Sequence, residues 1–347
     1  MEDILQTILD KVSGANSIRF YFVLRQEKEN LVARRKVLDK YNFSLLRVDI
    51  NEEIKTFMQN LVQKQIQHAI DEELELTPYE VISDDQEQVF TYSELNRIGS
   101  FAKVIQEMLP NYLDIPTMQN FDEIFNHGLI WAYCIELSYQ DNEENQKFIY
   151  TFRKLNSGNI VVDARENNPG ILKHIVASFS TRSNKLEMFS GSAVKLDATV
   201  DCVFDDGLFY ILQKRQFETL VGLAEDFHTE ALSVVEELRQ MDKFVGIDLV
   251  SYAMDSNTAM HKKLVRLKKL KNYAALDHKM INNMKKAAKT EKYKLKLNKE
   301  GKIIIENTKD VDMVIKLLCD YYKQGVVTGK NYGTYSGKYF ANADNLD

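Results

Sequence analysis

Residues 195–241, KLDATVDCVFDDGLFYILQKRQFETLVGLAEDFHTEALSVVEELRQM, decide the fold of this chain. Apolar residues alternate with polar ones from Ala198 to Phe204, which is the period of a half-buried strand. Asp206-Gly207 is a pair that two-residue hairpin turns favour, because both central positions need positive φ. A short run of β-formers follows (LFYIL), and from Phe217 apolar residues recur at helical spacing. The stretch therefore predicts a strand, a tight turn, a second strand and one long helix.

Composition indicates a soluble globular protein without a membrane span or a disulfide framework. The chain has 347 residues, enough for two domains, and is 44% hydrophobic and 28% charged, as ordinary globular proteins are. Cys134, Cys202 and Cys319 lie far apart, which predicts reduced, buried thiols in a reducing compartment. The first residues contain acids and no apolar signal region, and the longest nearly uncharged apolar run is too short to cross a membrane. We expect a cytoplasmic protein whose membrane association, if any, comes through a partner.

The first third of the chain predicts an antiparallel meander and two helices. A helix up to Val12 precedes three strand-like runs at 18–24, 31–38 and 45–50. Asn51 is expected to cap a helix whose apolar face extends to about His68. Another helix is predicted to open at Thr91-Tyr92-Ser93 and to end at Pro110, as part of a helical insertion.

The rest of the chain predicts a second meander followed by helices. Runs at 129–138 and 147–155 read as paired strands, and residues 167–170 (NNPG) are a turn signal. Beyond Met241 the pattern is helical, with a hairpin over 292–306 and a last helix over 310–322. The expected class is α+β, with a region at 1–125, a domain at 126–347 and basic helices over 258–290.

Charge is distributed unevenly along the chain. The net charge is −6, but residues 262–302 contain fifteen lysines and arginines against three acids, a local charge of +12, which leaves −18 on the remaining residues. Such asymmetry points to a nucleic-acid or anionic-surface site. The alternative is an acidic body that pairs with basic helices inside the molecule. Both interpretations stay open at this level.

The basic helices supply the candidate nucleic-acid site. Lysine outnumbers arginine fourteen to one in the segment, whereas base-edge recognition favours Arg, Asn and Gln. We therefore expect contact with the phosphate backbone and little sequence specificity. The residues predicted to contact phosphates are Lys262, Lys263, Arg266, Lys268, Lys269, Lys271, Lys285, Lys286 and Lys289.

No catalytic constellation is apparent, so no catalytic residue, metal ligand or cofactor is predicted. The glycines before Lys338 do not form a phosphate-binding loop, because Tyr339 follows where Ser or Thr is needed. A metal-dependent nuclease would have to use Asp197, Asp201 and Lys214, whose spacing is not diagnostic. The Asp205-Asp206 pair belongs to the hairpin turn. The six histidines, at positions 68, 127, 174, 228, 261 and 278, never fall at ligand spacing.

Two parts of the sequence resemble a known family. The first is the run VFDDGLFYIL at 203–212, followed by Lys214-Arg215 and by Phe217-Glu218 at the start of a helix. The second comprises 302–305 (KIII), a helix end LLCDYY at 317–322, and Val327-Thr328-Gly329 with Tyr332. Over 195–338 the chain resembles the KwaB-like family, which is tied to the Kiwa anti-phage defence system. Val327 stands where the family usually has leucine.

The resemblance implies a cytosolic effector that binds DNA and works with a small membrane-embedded protein of the same system. Combined with the basic helices, it gives the expected function: a homodimeric or larger anti-phage effector that binds double-stranded DNA with little sequence preference. A metal-dependent nuclease and a protein–protein interaction module without affinity for DNA are the alternatives.

Overall fold

The computed structural model describes residues 2–28, 41–82, 88–120, 129–141, 143–156, 160–161, 177–180, 185–188, 193–290, 292–325 and 327–335. The chain forms two compact units. Unit 1 comprises Met1–Pro78 and Glu87–Gly222, and unit 2 comprises Tyr79–Gln86 and Leu223–Asp347. The predicted division after residue 125 falls inside unit 1. The strand predicted at 31–38 and the turn at 167–170 lie outside the described residues.

Unit 1 contains an eight-stranded sheet, and the predicted α+β class is confirmed. The strands of the described part of this unit are β1 (Ser17–Glu27), β2 (Tyr41–Val48), β3 (Glu75–Pro78), β4 (Gln88–Tyr92), β5 (Leu129–Gln140), β6 (Gln146–Lys154), β7 (Ile160–Val161), β8 (Ala177–Ser180), β9 (Lys185–Met188), β10 (Ala193–Val194), β11 (Cys202–Asp205) and β12 (Leu208–Ile211). The sheet order is β2-β1-β5-β6-β11-β12-β4-β3, and β7 pairs with β10 and β8 with β9. Only β3 and β4 are parallel among the neighbours in this sheet.

The predicted hairpin is confirmed and forms two interior strands of the sheet. Phe204 pairs with Phe209 across the turn, and Asp206 and Gly207 both have positive φ (48° and 81°). β11 also pairs with β6, while β12 pairs with β4. Both strands therefore have hydrogen-bond partners on each side, and residues 202–205 are all buried.

Two helices cover one face of the sheet, and aromatic rings, one of them from a third helix, fill the other. Among the described residues of unit 1, the helices are α1 (Glu2–Ser13), α2 (Glu52–Asp71) and α3 (Lys214–Leu220). α1 and α2 pack on alternate residues of the strands, among them Phe20 and Tyr133, and the Asn51 side chain caps α2 as predicted. On the opposite face the Phe209 ring contacts Phe152 and Phe217 at centroid distances of 6.3 and 5.2 Å.

The helix predicted from Thr91 to Pro110 is wrong. Thr91 and Tyr92 belong to β4, where they pair with β12. The following residues form short 3₁₀ turns at Leu95–Arg97 and Gly99–Phe101 and a π-helical turn at Val104–Met108. Gly99 has a positive φ of 52°, which a continuous helix cannot contain. Strand pairing at one end and this glycine in the middle override the apolar periodicity.

Unit 2 is mainly helical. Its described part contains the helices α4 (Leu223–Gln240), α5 (Asp248–Ser256), α6 (Thr258–Leu270), α7 (His278–Thr290) and α8 (Thr308–Leu318), and the strands β13 (Phe244–Val245), β14 (Ile303–Ile304), β15 (Tyr322–Gln324) and β16 (Asn331–Gly333). The long helix predicted from Phe217 is two helices, because Gly222 (φ 79°) interrupts it where unit 1 ends. The last helix stops at Leu318 rather than Tyr322. In the predicted 292–306 hairpin, Leu297 pairs with Ile303, while β14 also pairs in parallel with β13.

A single apolar core holds the described helices of unit 2 together. Val234 of α4, Leu264 of α6 and Leu318 of α8 are each almost fully buried in it. Cys134, Cys202 and Cys319 are buried and unbonded, as predicted. Within the described ranges no helix is both long enough and apolar enough to cross a membrane.

Candidate nucleic-acid interface

Helix α6 carries five of the nine residues predicted to contact phosphates. Asn257 caps it by accepting a hydrogen bond from the backbone N–H of Ala259 (2.9 Å), and Met260, Leu264 and Leu267 bury its apolar stripe. Lysines and one arginine take half of the other positions. Because the helix packs on neighbours along much of its circumference, several of these cations are only partly exposed.

Acidic side chains of unit 2 pair with three cations of α6. Lys263 Nζ lies 2.8 Å from the Asp312 carboxylate. Arg266, only 8% exposed, places Nη1 3.1 Å from the Glu80 carboxylate. A looser contact of 4.0 Å joins Lys268 to Glu230.

A fourth cation of α6 and the environment of Asp312 complete this arrangement. Lys262 Nζ lies 5.9 Å from the centre of the Phe227 ring. Asp312 also receives Lys316 at 2.8 Å. Burial opposes ionisation of Asp312, but hydrogen bonds from Lys263 and Lys316 outweigh it and hold the pKa of this carboxyl below its usual value. Three of the five cations of α6 therefore have an acid of unit 2 as a partner, which leaves their charge less available to an outside anion.

Helix α7 presents its lysines differently. The Asp277 carboxylate accepts a hydrogen bond from the Met280 N–H (2.7 Å) and starts the helix where predicted, and Ile281 and Met284 are buried. Lys286 and Lys289 are exposed and Lys285 is partly exposed. None of these three lysines has an ion pair with a residue that the structure describes.

A concave surface next to α7 collects five lysines. Its volume is about 850 Å³, and we call it the lysine groove. It is lined by Lys285, Lys289, Lys292, Tyr293, Lys294, Leu295, Lys296, Leu297 and Ile304. Lys296 is bound to the Glu306 carboxylate, whereas the other four lysines have no ion pair among the described residues. The groove therefore offers a concentrated positive charge, most of which no acid among the described residues neutralises.

The predicted site and the groove overlap only in part. Lys285 and Lys289 are in both, and Lys286 lies beside them on α7. Lys269 and Lys271 are exposed at the end of α6 and are not part of the groove lining. The sequence prediction did not include Lys292, Lys294 and Lys296, although a spacing of two is the pattern that places side chains on one side of an extended segment. In the structure Lys292 itself has a positive φ of 55°.

The acids considered for a nuclease converge on an arginine. Arg153 contacts Asp201 at 2.6 Å and Asp197 at 3.0 Å. Burial raises the pKa of Asp201 to about 6, against the hydrogen bonds from the Lys154 N–H and Arg153. Lys214 is buried, with Nζ 5.2 Å from the centre of the Phe90 ring. In the described part of the chain, no three or more His, Cys, Asp or Glu side chains form a group that could hold a metal ion.

Two other polar contacts join side chains that are distant in the sequence. Asp205 of the hairpin turn binds Lys11 of α1 at 2.6 Å, consistent with a structural role for this carboxylate. His228 Nδ1 lies 3.3 Å from His261 Nε2, a contact between α4 and α6 that no sequence spacing indicates. Burial and the neighbouring His228 lower the pKa of His261.

Comparison with known proteins gives one match. The family model described as "Kiwa protein KwaB-like" matches residues 128–328, more than half of the chain. The matched range contains the hairpin at 202–211, both basic helices and the lysine groove. Neither the curated proteins nor the solved structures contain a significant match.

Proposed function

This chain belongs to the KwaB-like family, and we propose that it acts in Kiwa anti-phage defence by binding DNA through the phosphate backbone in the lysine groove. Family membership indicates the defence role. The observation that supports DNA binding is the groove itself: of its five lysines, four have no ion pair with a described residue.

The chemistry of the groove suits a polyanion whose sequence is not read. Each ammonium group that contacts a phosphate displaces condensed counterions, which favours binding at low salt. Lysine is a point charge without the planar fork with which arginine recognises guanine edges. A groove whose cations are all lysines therefore suits the phosphate backbone of any sequence.

A salt titration of DNA binding tests the proposal. The groove variant combines Lys285→Gln, Lys289→Gln, Lys292→Gln and Lys294→Gln, and the probe is a labelled DNA duplex about two helical turns long. We expect lower affinity and a plot of log K against log salt that is shallower by about 0.9 for each phosphate that the variant no longer binds. Fluorescence anisotropy across a salt series measures both quantities.

A charge-matched variant provides the control. Lys64→Gln, Lys103→Gln, Lys243→Gln and Lys309→Gln remove four positive charges at exposed positions outside the groove lining. This protein should keep the wild-type DNA affinity and the wild-type salt slope, apart from a small effect of its changed net charge. Equal affinities and slopes for the groove variant and the wild type would contradict the proposal.

A protein–protein interaction module is the second candidate. The pairing of Lys263 with Asp312 and of Arg266 with Glu80 favours it, since these cations already bind acids of the same unit. If the groove serves an acidic protein surface instead of DNA, the wild type will show no affinity for DNA even at low ionic strength.

We also propose a protein partner and an oligomeric state for this chain. The family resemblance supports a small membrane-embedded protein of the same defence system as the partner. Co-purification of the two proteins from detergent extracts tests this point, and recovery of the chain without the partner contradicts it. We further propose that the chain self-associates as a dimer or larger assembly, which mass photometry of the purified protein measures directly.

A further inference from the structure

The lysine groove has an apolar floor that a duplex backbone does not use. Between its five lysines, the lining consists of Tyr293, Leu295, Leu297 and Ile304. Leu295 is almost fully buried, while the other three are partly exposed. Contact with the phosphates of a backbone needs only cations and water. The apolar floor therefore fits a ligand that has both phosphates and flat apolar parts.

Tyr293 contributes a ring that the surrounding residues hold in place. Its O–H donates a hydrogen bond to Asp310 Oδ1 at 2.6 Å. Asp310 is buried and also accepts a hydrogen bond from the Glu306 backbone N–H at 3.0 Å. The hydroxyl is therefore already used, and what this side chain offers a ligand is the ring itself.

We propose that the lysine groove binds single-stranded DNA in preference to duplex DNA, with one or more bases against Tyr293 and Leu297 and the adjoining phosphates on Lys285, Lys289, Lys292 and Lys294. This inference rests on the proposed function and names the form of DNA that the site takes. A basic groove with an aromatic platform is the arrangement with which proteins hold single strands without reading their sequence.

The size of the groove supports the same choice. Its volume of about 850 Å³ lies within the range of pockets that enclose a small ligand. Splayed nucleotides of a single strand can enter a cavity of this size. A duplex keeps its bases stacked inside, so it would meet the lysines with its phosphates and make no base contact with the apolar lining residues.

The first experiment compares a labelled single strand with the duplex formed from it, at equal length and over a series of salt concentrations. We expect the single strand to bind about tenfold tighter for each base engaged. The preference should widen as salt rises, because the slope per phosphate contact is smaller for single strands and base contact is insensitive to salt. Equal affinities that fall in parallel with salt would overturn the inference.

A matched pair of substitutions at one position tests the floor. Tyr293→Leu removes the ring, whereas Tyr293→Phe removes only the hydrogen bond to Asp310. The phenylalanine variant should keep the preference for single strands, and the leucine variant should lose most of it while duplex affinity stays unchanged. Thermal unfolding of both proteins checks the fold. If Tyr293→Leu does not fold, Leu297→Thr tests the floor instead and should also reduce the preference for single strands.

The outcomes separate this inference from the proposed function. Duplex binding that depends on the groove lysines, with no preference for the single strand, overturns the inference alone. No binding of either form overturns both. An RNA strand that binds more tightly than the DNA strand of the same sequence contradicts the assignment to DNA.

Discussion

Helices α6 and α7 have the same length and a similar number of basic residues, but different surroundings in the structure. Each has thirteen residues, with five basic residues in α6 and four in α7. In α6, Lys263, Arg266 and Lys268 face acids of unit 2, whereas Lys285 and Lys289 of α7 face three further lysines across a groove. Charge density along a sequence thus does not define an anion site, because neighbouring acids decide whether the charge is available.

The neighbours of the two helices explain the difference. α6 contacts α4 and α8, which supply Glu230 and Asp312, and residues 79–82 supply Glu80. The described chain after α7 instead adds Lys292, Lys294 and Lys296 to the same surface. We therefore expect substitutions in α6 to affect mainly stability and substitutions in α7 to affect mainly DNA binding.

The largest effect is expected for Arg266→Glu. This substitution places a carboxylate at a position that is 8% exposed and beside Glu80, so it buries a charge without a partner. We expect a decrease of about 3–5 kcal/mol in the free energy of unfolding, measured by urea denaturation. The exposed Lys286→Glu on α7 is the control and should change stability by about 0.5 kcal/mol or less. Similar decreases in the two proteins would remove the distinction between the helices.

For DNA affinity we expect the opposite order, with the larger effect from α7 and the smaller from α6. The double variant Lys285→Gln/Lys289→Gln on α7 should lower DNA affinity about tenfold per lysine, the value of a charge-assisted hydrogen bond of about 1.5 kcal/mol. The double variant Lys262→Gln/Lys263→Gln on α6 removes the same charge and should have a much smaller effect. Anisotropy titrations at one salt concentration compare the two, and a larger effect from α6 would refute the assignment of the site to α7.

The pH dependence of stability tests the pairing on α6. The pKa of Asp312 is lower in the folded protein than its usual value, so the stability that its ionised form contributes is present above about pH 4 and is lost as pH falls through the folded pKa. Asp312 is partly exposed, so we expect Lys263→Gln to remove about 0.5–1 kcal/mol of this contribution at neutral pH and less in acid. Chemical denaturation at several pH values measures it. A decrease that is the same at all pH values would contradict an electrostatic origin.

The smallest effect concerns the end of α6. Lys271 has a left-handed conformation (φ 52°), which costs free energy for a residue with a Cβ. Lys271→Gly should therefore raise the free energy of unfolding by about 0.5 kcal/mol. Lys269→Gly, inside the helix, should lower it by about 1 kcal/mol. A destabilised Lys271→Gly protein would show that this side chain makes a stabilising contact that outweighs the backbone cost.

Local signals made parts of the fold predictable. Asp206-Gly207 indicates a turn that needs two positive φ values, and Asn51 has the side chain that caps α2. Each signal depends on residues that are adjacent in sequence. The pairing of Ser17 with Ser138 in β1 and β5 carries no comparable signal, because the two strands are far apart along the chain.

The lysines of the candidate site were likewise predictable only where the signal comes from residues that are neighbours in the sequence. Lysines of α7 stand out from composition, and Lys292, Lys294 and Lys296 could have been found from their alternation. The pairing of Lys263 with Asp312 could not, because it depends on the packing of α6 against α8. The contact between His228 and His261 is of the same kind.

The parallel pairing of β3 with β4 has a consequence for how this protein can be divided. Parallel neighbours cannot be joined by a tight turn, so the chain must make a crossover between Pro78 and Gln88. That crossover, Tyr79–Gln86, belongs to unit 2, and its Glu80 pairs with Arg266. A single cut after Gly222 therefore yields two incomplete pieces. Gene fragments that express either unit alone would need a rejoined or transplanted crossover, and recombination between relatives at that one junction would separate Arg266 from the Glu80 of its own chain.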